Sequence, residues 1–128
     1  MSAHADSAPR DAAVIDIGSN SIRLVLYRLE GRAIWTVFNE KVLAGLGRDL
    51  PATGRLSPQG VKAARAALRR FRAVLDSVRP AKLFVAATAA VREAEDGPAF
   101  VADVKADTGL SVRVLSGGVR DAGGHAEG

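Results

Sequence analysis

The strongest constraint on the fold is a pair of apolar runs, residues 12–17 and 22–26, held apart by Gly18-Ser19-Asn20-Ser21. The first run, AAVIDI, is short, rich in branched residues and interrupted only by Asp16, as expected of a strand buried in a sheet. A buried carboxylate has to be paired or to ligate a metal, which makes Asp16 the first candidate functional residue. Gly18 can carry the backbone through positive φ and lets the chain approach a ligand closely. Ser19, Asn20 and Ser21 add two hydroxyls and an amide beside a row of backbone N–H donors. Successive N–H groups in a turn form an anion-binding concavity, and a neighbouring Asp suits a hydrated Mg²⁺. The expectation is a strand–turn–strand phosphate clip with a metal-organising carboxylate. The same residue types also build ordinary hairpins, in which Asp caps its own turn. No lysine follows the glycine, so the stretch is not a Walker A loop.

The next elements extend this hairpin. Residues 22–30 alternate Ile22, Leu24 and Leu26 with Arg23, Val25 and Tyr27, giving one apolar and one mixed face. Gly31-Arg32 turns the chain into residues 33–43, where Ile34, Trp35, Val37 and Phe38 favour a third strand. Three strands in succession form an antiparallel meander with the clip at its first turn. Residues 44–57, AGLGRDLPATGRLS, read as loop, and Arg48, Asp49 and Arg55 in it could touch an anionic ligand.

Ser57 and Pro58 are N-cap and first-turn residues for a helix. Its apolar stripe runs Val61, Ala64, Leu68, Phe71, Leu75 and Val78 and stops before Pro80. Lys62, Arg65, Arg69, Arg72 and Arg79 form a basic row beside it. That row is either a polyanion-binding face or a solvated one whose arginine stems cover apolar surface. Residues 82–87, KLFVAA, are a further buried strand, and residues 88–94 turn into a helix. Arg92 there is a candidate phosphate ligand, or else a partner of Glu93 or Glu95. Gly97-Pro98 opens another helix that Gly109 stops, and residues 111–115, SVRVL, form a last strand. Strands alternating with helices predict a mixed α/β layer. Residues 1–11 are unpatterned and predicted disordered, and residues 118–128 form a glycine-rich tail.

At 128 residues with 48% hydrophobic and 5% aromatic content, one domain with an aliphatic core is expected. The absence of cysteine excludes disulfides and thiolate metal sites and suits a reducing compartment. No apolar run reaches the roughly 18 residues of a membrane span, and the N-terminus has no signal-peptide core. A cytoplasmic protein is expected. The net charge of +4 comes mainly from arginine and suits a polyanionic partner, although a GC-rich coding sequence produces the same bias.

The chain resembles the N-terminal half-domain of the exopolyphosphatase/guanosine pentaphosphate phosphatase (Ppx/GppA) family. The resemblance rests on VIDIGSNSIRLVLY (residues 14–27), LGRDL (46–50), LSPQG (56–60), FVAATAAVREAEDG (84–97) and VRVLSG (112–117). It implies an actin-like ATPase (ribonuclease H-like) half-domain over residues 12–117, with a mixed five-stranded sheet and helices. It also implies a Mg²⁺-dependent phosphohydrolase acting on polyphosphate or guanosine pentaphosphate rather than on nucleic acid. Asp16 would organise the Mg²⁺, Gly18, Ser19, Asn20 and Ser21 would form the first phosphate loop, and Arg92 would contact phosphate.

The family's Glu-Glu-Ala segment, whose glutamate is its general base, is replaced here by Gly118-Val119-Arg120-Asp121, and its second phosphate loop does not occur. Read one base out of frame, the tail permits Ala-Ala-Tyr-Ala-Thr-Leu-Ala-Gly-Met-Pro-Lys, a string resembling the family's helix at this point. The expectation is therefore a frameshifted, truncated chain with feeble turnover. The alternatives are a non-catalytic polyanion-binding half-domain using Lys62, Arg65, Arg69 and Arg72, or a homodimer formed through the uncovered surface.

Overall fold

The computed structural model describes residues 10–117. The expectations for residues 1–9 and for the 118–128 tail fall outside these described residues. Arg10 and Asp11, expected to be disordered, instead open the first strand, because their backbone groups continue the ladder with Leu29 and Arg28.

Five strands form one sheet: β1 (Arg10–Ile17), β2 (Ser21–Glu30), β3 (Ala33–Leu43), β4 (Lys82–Ala87) and β5 (Arg113–Val114). Four helices accompany them: α1 (Leu50–Thr53), α2 (Pro58–Val78), α3 (Ala89–Glu93) and α4 (Gly97–Thr108). The sheet order is β3-β2-β1-β4-β5. The β1–β2 and β2–β3 pairs are antiparallel, whereas β1–β4 and β4–β5 are parallel. The expected meander and the mixed five-stranded sheet are both present. Val37 is an extra residue in β3, a bulge opposite the Leu26/Tyr27 step of β2.

Side-chain alternation decides the core. Ala13, Ile15 and Ile17 of β1, Ile22, Leu24 and Leu26 of β2, and Val85 and Ala87 of β4 are buried on one face. Onto that face pack Ala64, Leu68, Phe71 and Leu75 of α2 with Phe100 and Val104 of α4. Ser57 caps α2 as expected, its side chain accepting the Gly60 N–H at 3.1 Å. The α3–α4 corner is tight enough to require Gly97, where a Cβ would lie 2.0 Å from the Val91 carbonyl oxygen.

No described helix or strand covers the other face of the sheet. Phe84 is 58% exposed and Ile34 65% exposed. Two expectations change here. Residues 44–57 are not all loop, since Asp49 and Pro51 start the single helical turn α1, which Gly54 ends with φ 73°. The final strand shrinks from five residues to two, because only Arg113 and Val114 reach the β4 ladder. No described helix is long and apolar enough to cross a membrane.

Candidate functional site

The clip forms where β1 passes into β2. Gly18 N–H donates to the Ser21 carbonyl at 2.9 Å and closes the turn. Gly18 does not use positive φ, contrary to expectation; a Cβ on it would lie 3.3 Å from the Ser21 carbonyl oxygen. The loop after β3 holds the turn from outside. Gly45 N–H donates to the Asn20 carbonyl and Gly47 N–H to the Ser19 carbonyl, both at 3.0 Å. With these two carbonyls drawn to the loop, the N–H groups of Ser19 and Asn20 have no acceptor among the described residues. That is the donor arrangement an anion needs. The LGRDL segment therefore serves the site through its backbone.

Gly47 is required by close approach. A Cβ there would meet Ser19 Oγ at 3.0 Å and the Ala90 Cβ at 3.3 Å. Ser19, the post-β3 loop and the start of α3 thus converge on one point. The β4–α3 junction is tied to the clip strand as well, through Thr88 N–H donating to the Ile17 carbonyl at 3.1 Å.

Asp16 differs from the expectation of a buried carboxylate. It is exposed, because β1 turns Ile15 and Ile17 toward the helices and Asp16 toward the uncovered face. Its carboxylate has no hydrogen bond or ion pair among the described residues. A lone, accessible carboxylate suits Mg²⁺, which keeps several waters and binds through one or two carboxylates plus substrate phosphates. A metal cage made by protein alone is not available: no cluster of three acidic, histidine or cysteine residues occurs among the described residues.

Arg92 is brought to the same end of the sheet but is already engaged. Its Nη1 donates to the Leu115 carbonyl at 3.0 Å and its Nη2 to Glu93 Oε2 at 3.3 Å. Part of its work is therefore to clamp α3 to the end of β5. The other loop charges divide. Arg48 folds over Gly45, beside the clip. Arg55 turns away to Glu95 and Asp96, at 3.4 and 3.9 Å.

The register also reveals residues the sequence reading did not assemble. Lys41, Arg23, Asp16, Ala86 and Arg113 occupy one transverse row across all five strands, on the uncovered face. With neighbouring strands about 4.8 Å apart, three cations flank Asp16 within roughly 10 Å on either side. Alternation alone places Arg23 on the face of Asp16, but Lys41 and Arg113 join only once the strand pairings are known. By contrast, three of the five residues in the basic row on α2 are paired, with two carboxylates between them. Arg65 and Arg69 meet Asp107 at 3.5 and 2.8 Å, and Arg72 meets Asp76 at 2.8 Å.

A model of the Ppx/GppA phosphatase family matches residues 25–119. The matched range begins beyond the clip, so it speaks for the scaffold more than for Asp16. The fold is similar to the crystal structure of an Aquifex aeolicus Ppx/GppA family member, with 26% identity and a TM-score of 0.83 over 86% of this chain. It is likewise similar to an exopolyphosphatase from Cytophaga hutchinsonii, with 26% identity and a TM-score of 0.80 over 85% of this chain. The chain spans only 36% and 35% of the lengths of those two proteins. The architecture is that of an actin-like half-domain.

Proposed function

The chain belongs to the Ppx/GppA phosphatase family, and from that premise we propose that it supplies the clip side of a Mg²⁺-dependent phosphohydrolase site. The substrates are the terminal phosphoanhydride of inorganic polyphosphate or the 5′ phosphate of guanosine pentaphosphate. One observation supports this most: close in sequence to Asp16, whose carboxylate has no partner among the described residues, the N–H groups of Ser19 and Asn20 have no acceptor among them either.

Phosphoryl transfer asks a protein for positioning and charge neutralisation more than for covalent chemistry. The Ser19 and Asn20 N–H groups would hold a phosphate oxygen, with the hydroxyls of Ser19 and Ser21 beside it. Asp16 would hold Mg²⁺ through the metal's waters, and bound Mg²⁺ would neutralise phosphate charge. Arg23, Lys41 and Arg113 would extend the attraction along the sheet face. Arg92 would reach phosphate only by giving up a contact to Leu115 or Glu93, so its first role is to set the position of α3. A general base is not among these residues. Turnover by this chain alone is therefore expected to be feeble, since a positioned base typically contributes about 10²–10⁴-fold.

The test is calorimetric binding of long-chain polyphosphate with and without Mg²⁺. The wild-type chain should bind more tightly with Mg²⁺, and Asp16→Asn should remove that gain while leaving the fold intact. An identical Mg²⁺ gain in the variant would refute the role given to Asp16. The reading as a polyanion binder through α2 loses support, because Arg65, Arg69 and Arg72 are already paired with carboxylates.

A further inference from the structure

The strand register puts five cations, Arg10, Arg23, Lys41, Lys82 and Arg113, on the uncovered face of the sheet. Asp16 is the only carboxylate that the five strands place there. Glu40, the one acid of β3, lies opposite the buried Leu24 on the covered face, where Arg70 holds it.

Arg23 is the direct cross-strand neighbour of Asp16. Opposite side chains on adjacent strands have Cβ atoms about 5 Å apart, well within the reach of an arginine. Lys41, directly across from Arg23 on β3, repels the guanidinium toward Asp16. Asp11 and Arg28, opposite each other on the same ladder, do close into an ion pair through two nitrogens. Arg23 does not. Its Nη1 donates to Asn39 Oδ1 at 3.3 Å, and no ion pair joins it to Asp16. Asn39 lies across from Val25, two residues along β3 from Lys41 and so diagonal to Arg23. Long side chains span that diagonal. A neutral amide thus holds a guanidinium that has a carboxylate as its nearest opposite number.

We propose that Asn39 is a positioning residue: by drawing Arg23 along β3 it keeps the Asp16 carboxylate free for a divalent cation. The inference rests on the reading of Asp16 as the organiser of Mg²⁺. An Asp16–Arg23 pair would cancel both charges, so the carboxylate for the metal and an attraction for phosphate would be lost together. An acidic side chain in place of Asn39 would hold Arg23 but neutralise it. The amide holds the guanidinium and leaves its charge uncompensated, in the same transverse row as Asp16.

NMR of the full chain, with the Arg23 Nε–H signal assigned, reads the guanidinium directly. In the wild type, Asp16→Asn should move that signal little. In Asn39→Val, whose β-branched side chain suits a strand, the same change should shift it strongly, because the freed guanidinium then pairs with Asp16. A titration with Mg²⁺ alone, followed at the Ile17 and Gly18 amides, reads the consequence. Its midpoint should rise about two- to fivefold in Asn39→Val, the weakening that one exposed ion pair accounts for. In an Arg23→Gln background, Asn39→Val should leave the midpoint unchanged. An Arg23 signal indifferent to Asp16 in Asn39→Val would overturn the proposal. So would an unchanged midpoint in that variant, or an equal rise in the Arg23→Gln background. Wild-type Mg²⁺ shifts that survive Asp16→Asn would overturn it through the Asp16 reading instead, recognisable because the Arg23 signals would still behave as described.

Discussion

The two ends of β1 repeat one arrangement with opposite outcomes. Asp11 faces Arg28 across the β1–β2 ladder, and Asp16 faces Arg23 across the same ladder. At the first pair the guanidinium grips the carboxylate through two nitrogens. At the second, Arg23 donates to Asn39 Oδ1 at 3.3 Å instead, and no ion pair reaches Asp16 among the described residues. Residue type and register are the same. The difference is the face: Asp11 shares the parity of Ala13, Ile15 and Ile17, at the end of α2, whereas Asp16 points to the uncovered side. A carboxylate half enclosed by helix and sheet needs its counterion, while an accessible one can wait for a metal or a ligand. One pair serves structure and the other is kept open.

Both ends depend on α2 lying flat on the sheet, so the largest effect should come from its anchor. Phe71→Ala empties a fully buried position and should cost about 3–5 kcal/mol in chemical denaturation. The contrast itself is tested by exchanging amides for carboxylates. Asp16→Asn should abolish Mg²⁺-dependent polyphosphate binding with an unchanged melting temperature, and Asp11→Asn should lower the melting temperature with that binding intact. The opposite pattern would invert the roles assigned to the two ends. Gly47→Ala probes the support of the clip. Its methyl would press on Ser19 and Ala90, so polyphosphate affinity should fall severalfold while stability falls by about 1 kcal/mol.

The smallest effect concerns acid. The hydrogen bond from Arg28, opposed by partial burial and assisted by the guanidinium charge, holds the Asp11 carboxyl below its ordinary value of 3.8. A depressed native value favours the ionised folded state, so this contribution is present above the unfolded value and lost as pH falls through the native one. Unfolding midpoints compared at pH 6 and about pH 3 should therefore show a smaller acid loss in Asp11→Asn than in the wild type.

Local chemistry made much of the scaffold legible. β3, β4 and α4 occupy the spans that period, turn residues and glycine stops indicated. Helix α2 follows from Ser57-Pro58 at one end and Pro80 beyond the other. The clip was legible as a turn rich in donors. Its two outside supports were not, because the Gly45 and Gly47 bonds join segments separated by more than twenty residues. The exposure of Asp16 was missed because an apolar run looks the same whether one face of its strand is covered or both. From the sequence Arg92 is a phosphate ligand or a partner of Glu93 or Glu95; it takes the Glu93 contact, and its further bond to the Leu115 carbonyl depends on where β5 ends.

The sequence by itself determined which segments are strands and helices and where the donor-rich turn lies. Those properties depend on neighbours a few residues away, through periodicity, capping and turn preference. Only the tertiary structure decided which face of the sheet is covered and which of two like Asp–Arg pairs is closed. It also decided that Lys41, Arg23 and Arg113 fall in line with Asp16. Each of these depends on register and on long-range packing, which bring distant residues together by burying apolar surface that no local pattern can assign to a partner.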